Sequence, residues 1–348
     1  MPSQAPGSPE QPPAQGYSVA DVTDPSQGNI EVDNERDGEL DSAFGDSTST
    51  TASLTSTVLN FHFENGRRYH SYKEGKYPLP NDEKEQDRLD IMHRMYSLVI
   101  GDRLYLAPIG SNPQRILDLG TGTGLWAIEM ADAFPSALVI GNDLSPIQPS
   151  FVPPNVRFEI DDIEEDFAHS EPFDYIHARY LAGSIKDWPA LIRQTFRALK
   201  PGGWAEYFDC DFALHSDDDS LKKNSALATN IREIIEASES LGRTACPGPG
   251  LKGWFKEAGF VNITERKFIV PFTPWPKDRK LKEIGAWNNL QSLEGVEGWS
   301  MALLTRDGRM SPEEVQRHLV EVRKDMANPA IHAYYHLYVV FGQRPQKN

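Results

Sequence analysis

Asp118-Leu119-Gly120-Thr121-Gly122-Thr123-Gly124 decides the fold of this 348-residue chain. The apolar run Arg115-Ile116-Leu117-Asp118-Leu119 reads as a buried strand, and Leu125 to Phe134 reads as a helix. Glycines between a strand and a helix let the backbone turn sharply and approach a ligand that a Cβ would hold off. A dinucleotide site puts Gly or Ala three places after its second glycine, and here that place is Leu125. The spacing therefore excludes a pyrophosphate ligand of that kind.

Outward from this loop, strands and helices alternate. Ala137 to Asn142, Val156 to Ile160 and Phe173 to His177 read as the second to fourth strands. Trp188 to Leu199 is helical, Lys200-Pro201-Gly202-Gly203 stops it, and Trp204 to Phe208 is a fifth strand. Ser225 to Leu241 and Gly250 to Ala258 look helical, with further strands at Phe260 to Phe268 and Ala333 to Gly342. Such a repeat predicts an α/β fold over 111–348, a doubly wound, seven-stranded, Rossmann-like parallel sheet with helices on both faces. An insertion at about 269–330 carries its own helices, Lys280 to Leu293 and Pro312 to Met326, and its length suggests a lid.

Upstream, residues 58–110 predict a hairpin and a helix that form an amino-terminal lid. Asn65-Gly66 between aromatic-bearing runs is a two-residue hairpin signal. Asp82 with Glu85 resembles a capping box, and Leu89, Met92, Met95 or Tyr96, Val99 and Arg103 or Leu104 recur at helical spacing for roughly six turns. Residues 1–57 hold ten acidic residues against Arg36 alone, with six Pro and two aromatics, so they predict a disordered acidic tail.

Three carboxylates close neighbouring strands. Asp118, two residues before the first glycine, suits a ligand with a positive end such as an amino acid ammonium, which S-adenosylmethionine has. Asp143 ends the second strand, where an acid can accept both hydroxyls of a ribose. Asp162 follows the third, an acceptor for an exocyclic amine with Ile163 beside it for a purine face. Each alone is as readily a solvated strand-end Asp. Together, at the carboxyl edge of adjacent parallel strands, they predict one crevice.

Ile116 to Ala131, Asn142 to Pro146, Phe173 to Arg179 and Leu199 to Glu206 resemble the seven-stranded S-adenosylmethionine-dependent methyltransferases. Tyr72 to His93 narrows the resemblance to the fungal LaeA-like methyltransferases, which Trp126 also suits. The resemblance implies that Asp118, Gly120, Thr121, Gly122 and Gly124 hold the methionine side, Asp143 and Leu144 the ribose, and Asp162 with Ile163 the adenine. It also implies methylation of an O, N or C nucleophile on a small molecule of secondary metabolism. The same family contains regulators of secondary-metabolite genes that act through protein partners.

Candidates for a general base are His177, at the end of the fourth strand, and Glu206, near the end of the fifth with Asp209. A strand-end His is more often structural. No Asn-Pro-Pro-Tyr or Asp-Pro-Pro-Tyr follows the fourth strand, which disfavours amino groups of nucleic acid bases and glutamine as acceptors. His332 and His336 have a helical metal-pair spacing but fall in a predicted strand with no third ligand nearby, so no metal is expected. Asp217-Asp218-Asp219 reads as a solvated turn, and Trp275, Trp287 and Trp299 as a small helical core or an aromatic pocket. Tyr69, Tyr72 and His93 read as closing over the cofactor from the amino-terminal segment or, equally, as packing residues.

A net charge of -16 argues against nucleic acid as the main partner. Two cysteines, Cys210 and Cys246, cannot make a disulfide framework and predict a reducing compartment. Met1 to Ala20 lacks a basic start and an apolar segment, and no run is long and apolar enough to span a membrane. The expectation is an intracellular soluble protein, cytoplasmic rather than nuclear because the tail carries no basic import signal.

Overall fold

The computed structural model describes residues 61–70, 72, 73, 77 and 79–346, so the predicted acidic tail lies outside the described residues. The chain enters through a hairpin, β1 (His62–Glu64) and β2 (Arg67–Tyr69), turned by Asn65 and Gly66, both at positive φ as a two-residue turn requires. Helix α1 (Glu83–Val99) follows. Asp82 caps it, accepting the Glu85 backbone N–H at 3.1 Å, while the Glu85 side chain turns to Arg88 instead of closing the box. The helix stops short of the predicted six turns because Gly101 and Asp102 take positive φ.

Next come β3 (Arg115–Leu119), α2 (Leu125–Ala133), β4 (Leu138–Asp143), β5 (Val156–Ile160), β6 (Phe173–Arg179), α3 (Trp188–Ala198) and β7 (Leu199–His215). They are followed by α4 (Ala226–Ser240), α5 (Gly248–Ala258), β8 (Val261–Pro271), α6 (Arg279–Arg306), α7 (Pro312–Met326) and β9 (Tyr334–Gln343). The seven-stranded sheet runs β5-β4-β3-β6-β7-β9-β8. Strands β5 to β7 pair in parallel, but β9 is antiparallel to both β7 and β8. The sheet is therefore mixed, not wholly parallel: α6 and α7 together return the chain to the sheet edge that β8 left, so β9 must run back.

Alternation along each strand sorts the core into two layers. Ile116, Tyr175 and Phe208 share one layer with residues of α1, α2, α4, α6 and α7, while Leu117, Ile176 and Tyr207 share the other with α3 and α5.

The insertion differs from expectation. Helix α6 is 28 residues long, twice the predicted stretch, and runs on through Gly295 and Gly298. A Cβ on Gly295 would lie 2.6 Å from the Arg88 side chain, so the glycine is there to let α1 cross closely. Gln291 on α6 accepts from Arg88 at 3.0 Å, and the buried Arg88 makes a two-bonded pair with Glu85 and lies over the Tyr180 and Trp299 rings. The insertion backs α1 and contributes no wall to the central cleft, because α1 stands between them. Trp275 and Trp299 are buried and Trp287 partly so, in packing and not around the cleft.

Candidate active site

Parallel strands end their carboxyl edges together, and helices that start there leave a crevice between them. The main cleft opens at the ends of β3, β4 and β5 and is roofed by α1. Asp118, Gly120, Thr121, Gly122, Asp143, Leu144, Asp162 and Ile163 all line it. Gly124 begins α2 just behind, at φ 84, where a Cβ would run into the Phe158 ring.

Asp118 is buried and held from two sides. Thr121 Oγ1 donates to Oδ2 at 2.6 Å, and His177 Nδ1 lies 2.7 Å from Oδ1. Asp143 accepts the Gly122 and Ser145 backbone N–H groups, both at 2.9 Å, and burial raises its pKa to about 6. Asp162 accepts the Glu164 N–H at 3.0 Å, with Lys73 Nζ 3.6 Å from its other oxygen. Turns of two or three residues thus fix all three carboxylates before any ligand arrives.

His177 and Glu206 are placed differently. Register puts Asp118, His177 and Glu206 in one row across β3, β6 and β7, and neither of the last two is among the cleft-lining residues. His177 stacks on Trp126 with ring centroids 3.8 Å apart, and burial lowers its pKa so the ring is neutral at pH 7. Its Nδ1–H then donates to Asp118, while its buried Nε2 has no hydrogen-bond partner among the described residues. Glu206 accepts the Leu106 N–H at 3.1 and 2.9 Å and the Ala107 N–H at 2.6 Å, and burial pushes its pKa up to about 7. That bonding ties the connection after α1 to the sheet. Asp209 is likewise buried, accepts the Leu181 N–H at 2.7 Å, and is raised to about 7 by burial.

The opposite wall comes from Leu89, Met92, His93 and Tyr96 on α1 and from Arg179 and Tyr180 after β6. His93 was anticipated; Tyr69 is buried away from the cleft beneath Arg306, and Tyr72 also lies off its walls. Burial, then the Arg179 charge, lowers the His93 pKa to about 3, so the ring is neutral. Its Nδ1 accepts from Arg179 at 3.0 Å and its Nε2 lies 3.1 Å from Glu129. Arg179 also covers the Tyr96 ring at 5.2 Å. Sequence reading missed Arg179 as a site residue. The available signal was its i+2 spacing from His177, which puts both on one strand face. Tyr180, at φ 57, had no signal.

Comparison with known proteins agrees with this geometry. Residues 91–265 match the family described as Methyltransferase domain. The chain is 45% identical over 317 residues to methyltransferase pytC of Aspergillus terreus, covering 91% of this chain and 96% of that one. It is 38% identical over 293 residues to secondary metabolism regulator LAE1 of Cochliobolus heterostrophus, covering 82% and 95% respectively. It is 37% identical over 298 residues to protein-methionine methyltransferase laeA of Emericella nidulans, covering 82% and 77%. Identity at this level along most of each sequence leaves one conclusion: the chain belongs to the methyltransferase family, in its LaeA-like group.

Proposed function

We propose that this methyltransferase uses S-adenosylmethionine to methylate an oxygen, nitrogen or carbon nucleophile of a small molecule in fungal secondary metabolism. The observation that carries the reading is the row of three preset carboxylates, Asp118, Asp143 and Asp162, around a glycine loop in one roofed cleft. Asp118 and the loop of Gly120, Thr121, Gly122 and Gly124 suit the ammonium end of the cofactor. Asp143 and Leu144 suit the ribose, and Asp162 with Ile163 suits the adenine amine and face. When bound, S-adenosylmethionine supplies a methyl group on a positively charged sulfur.

The chain's own residues then bind, orient and exclude water. Proximity of that kind can supply roughly 7–11 kcal/mol of the barrier. Met92, Tyr96 and Tyr180 offer an apolar and aromatic wall to an acceptor, and the Arg179 guanidinium a polar anchor. His177 acts in this reading as a positioning residue that fixes Asp118, and Glu206 as a clamp on residues 106 and 107. The 45% identity to pytC along nearly the whole chain favours the enzyme. The LAE1 likeness supports a second reading, a regulator of secondary-metabolite genes working through protein partners.

Calorimetry with S-adenosylmethionine and with NADH tests the first point. Binding of the former alone is expected, and binding of NADH alone overturns the proposal. Metabolite profiles after gene deletion separate the two readings. An enzyme's loss leaves one group of compounds short of a methyl group, whereas a regulator's loss silences many unrelated compounds.

A further inference from the structure

Away from the cleft, β7 and β9 hold a cluster that sequence spacing concealed. Register sets Asp211 opposite His336 and His215 opposite Tyr334, so four steps along β7 match two along β9. The surplus is a bulge in β7. On a regular strand, residues four apart are separated by about 13 Å. Here one ligating atom from each of Asp211, His215 and His336 lies within 4.8 Å of the other two. The bulge therefore draws the side chains at its two ends together beside His336.

One nitrogen of each imidazole is unspent: His215 Nε2 and His336 Nδ1 are closed off from solvent, and neither has a hydrogen-bond partner among the described residues. Buried polar side-chain atoms are rarely left unpaired, and an ion is one of the few things that explains a pair of them. The ring centroids lie 4.6 Å apart with the planes tilted at 59°, so the two imidazoles converge on one small space. Tyr334 fixes their orientation, stacked on His215 at 5.6 Å and edge-on to His336 at 5.5 Å. Asp211 is oriented as well, since its Oδ1 accepts the Ala213 backbone N–H at 3.2 Å. Such outer contacts are what hold metal ligands in place.

We propose that Asp211, His215 and His336 form a binding site for a zinc ion that pins the β7 bulge against β9. Two imidazoles and one carboxylate suit zinc among the divalent ions and leave a fourth position for water. None of the three residues lines the cleft, so the ion's role is to hold the sheet edge and not to take part in methyl transfer. His332, the partner that sequence spacing suggested, bonds instead to Asp218.

The full chain, stripped with chelator and dialysed, is titrated with zinc chloride by calorimetry and with cobalt chloride by visible absorption. One equivalent of zinc should bind and raise the melting temperature. The cobalt form should show the intense bands of a four- or five-coordinate ion. His215→Ala and His336→Ala should each weaken binding by at least ~100-fold, and Asp211→Asn by at least ~10-fold, with unchanged far-ultraviolet circular dichroism. Failure of the parent to bind zinc, or full binding by both His variants, overturns the proposal. Should the variants not fold, the cobalt spectrum of the parent decides alone: the weak bands of a six-coordinate aqua ion refute the site.

Discussion

The strand-end half of the cleft and its helical half are built by different rules. Asp143 and Asp162 find partners two residues on, in the backbone N–H groups of Ser145 and Glu164, and Asp143 also takes that of Gly122 from the adjoining glycine loop. In the helical half the partners are remote: Arg179 reaches His93 across 86 positions, and Arg88 reaches Gln291 across 203. The first half is set largely by turns at the strand ends, with His177 on the neighbouring strand as a distant hydrogen-bond partner. The second exists only once α1 has docked on α6 and β6. One half is thus fixed at the strand ends, and the other depends on how α1 docks.

The comparison can be broken most severely at the loop. Gly124→Val puts a branched side chain at a left-handed backbone position and against Phe158. Cofactor binding in calorimetry should vanish while circular dichroism stays near the parent's. Retained binding would show that the loop is not preset. In the helical half, Arg88→Ala leaves Glu85 as an unpaired buried charge, a loss of about 3–5 kcal/mol in urea unfolding. Hydrogen exchange should rise in α1 and α6 and not in β3 to β5. A uniform rise would mean that the halves are not separable.

Glu206 sharpens the comparison from the side of pH. Its carboxyl is raised to about 7 in the folded chain from an ordinary 4.5, so the folded state holds a proton that the unfolded state releases. The resulting stability is complete below about pH 4.5 and fades as pH rises through 7. Between pH 5 and 8 the parent should lose roughly 2–3 kcal/mol relative to Glu206→Gln, read from paired urea titrations. Turnover of the variant should stay within a few-fold of the parent. A collapse of turnover with intact folding would restore Glu206 as a base.

The smallest effect is at Asp143, the acid proposed to hold the ribose. Asp143→Asn should weaken S-adenosylmethionine binding by about tenfold or more, the worth of one charge-assisted hydrogen bond. Because burial raises Asp143 to about 6, parent affinity should fall as pH drops from 7 to 5, and the variant's should not. A variant as pH-sensitive as the parent assigns that titration to another group.

What was legible in the sequence follows the same division. The glycine loop, the three acids, the Asp82 cap and the Asn65-Gly66 turn are local patterns, and each was readable from a few neighbours. The reversal of β9 was not, because it depends on how α6 and α7 return the chain. Nor was the length of α6, whose run past Leu293 carries the close crossing of Arg88 at Gly295. His177 and Glu206 were found as strand-end groups, but the partners that bury them, Trp126 and residues 106 and 107, come from other elements.

The crossing at Gly295 makes the roof of the cleft and the helical insertion a single structural unit. Recombination between relatives that brings a new α1 without its α6 would set a foreign side chain against Gly295 and leave the buried Gln291 without Arg88. Acceptor preference should therefore be transplanted by moving 80–100 and 279–306 together, and chimaeras joined anywhere between them should fold poorly.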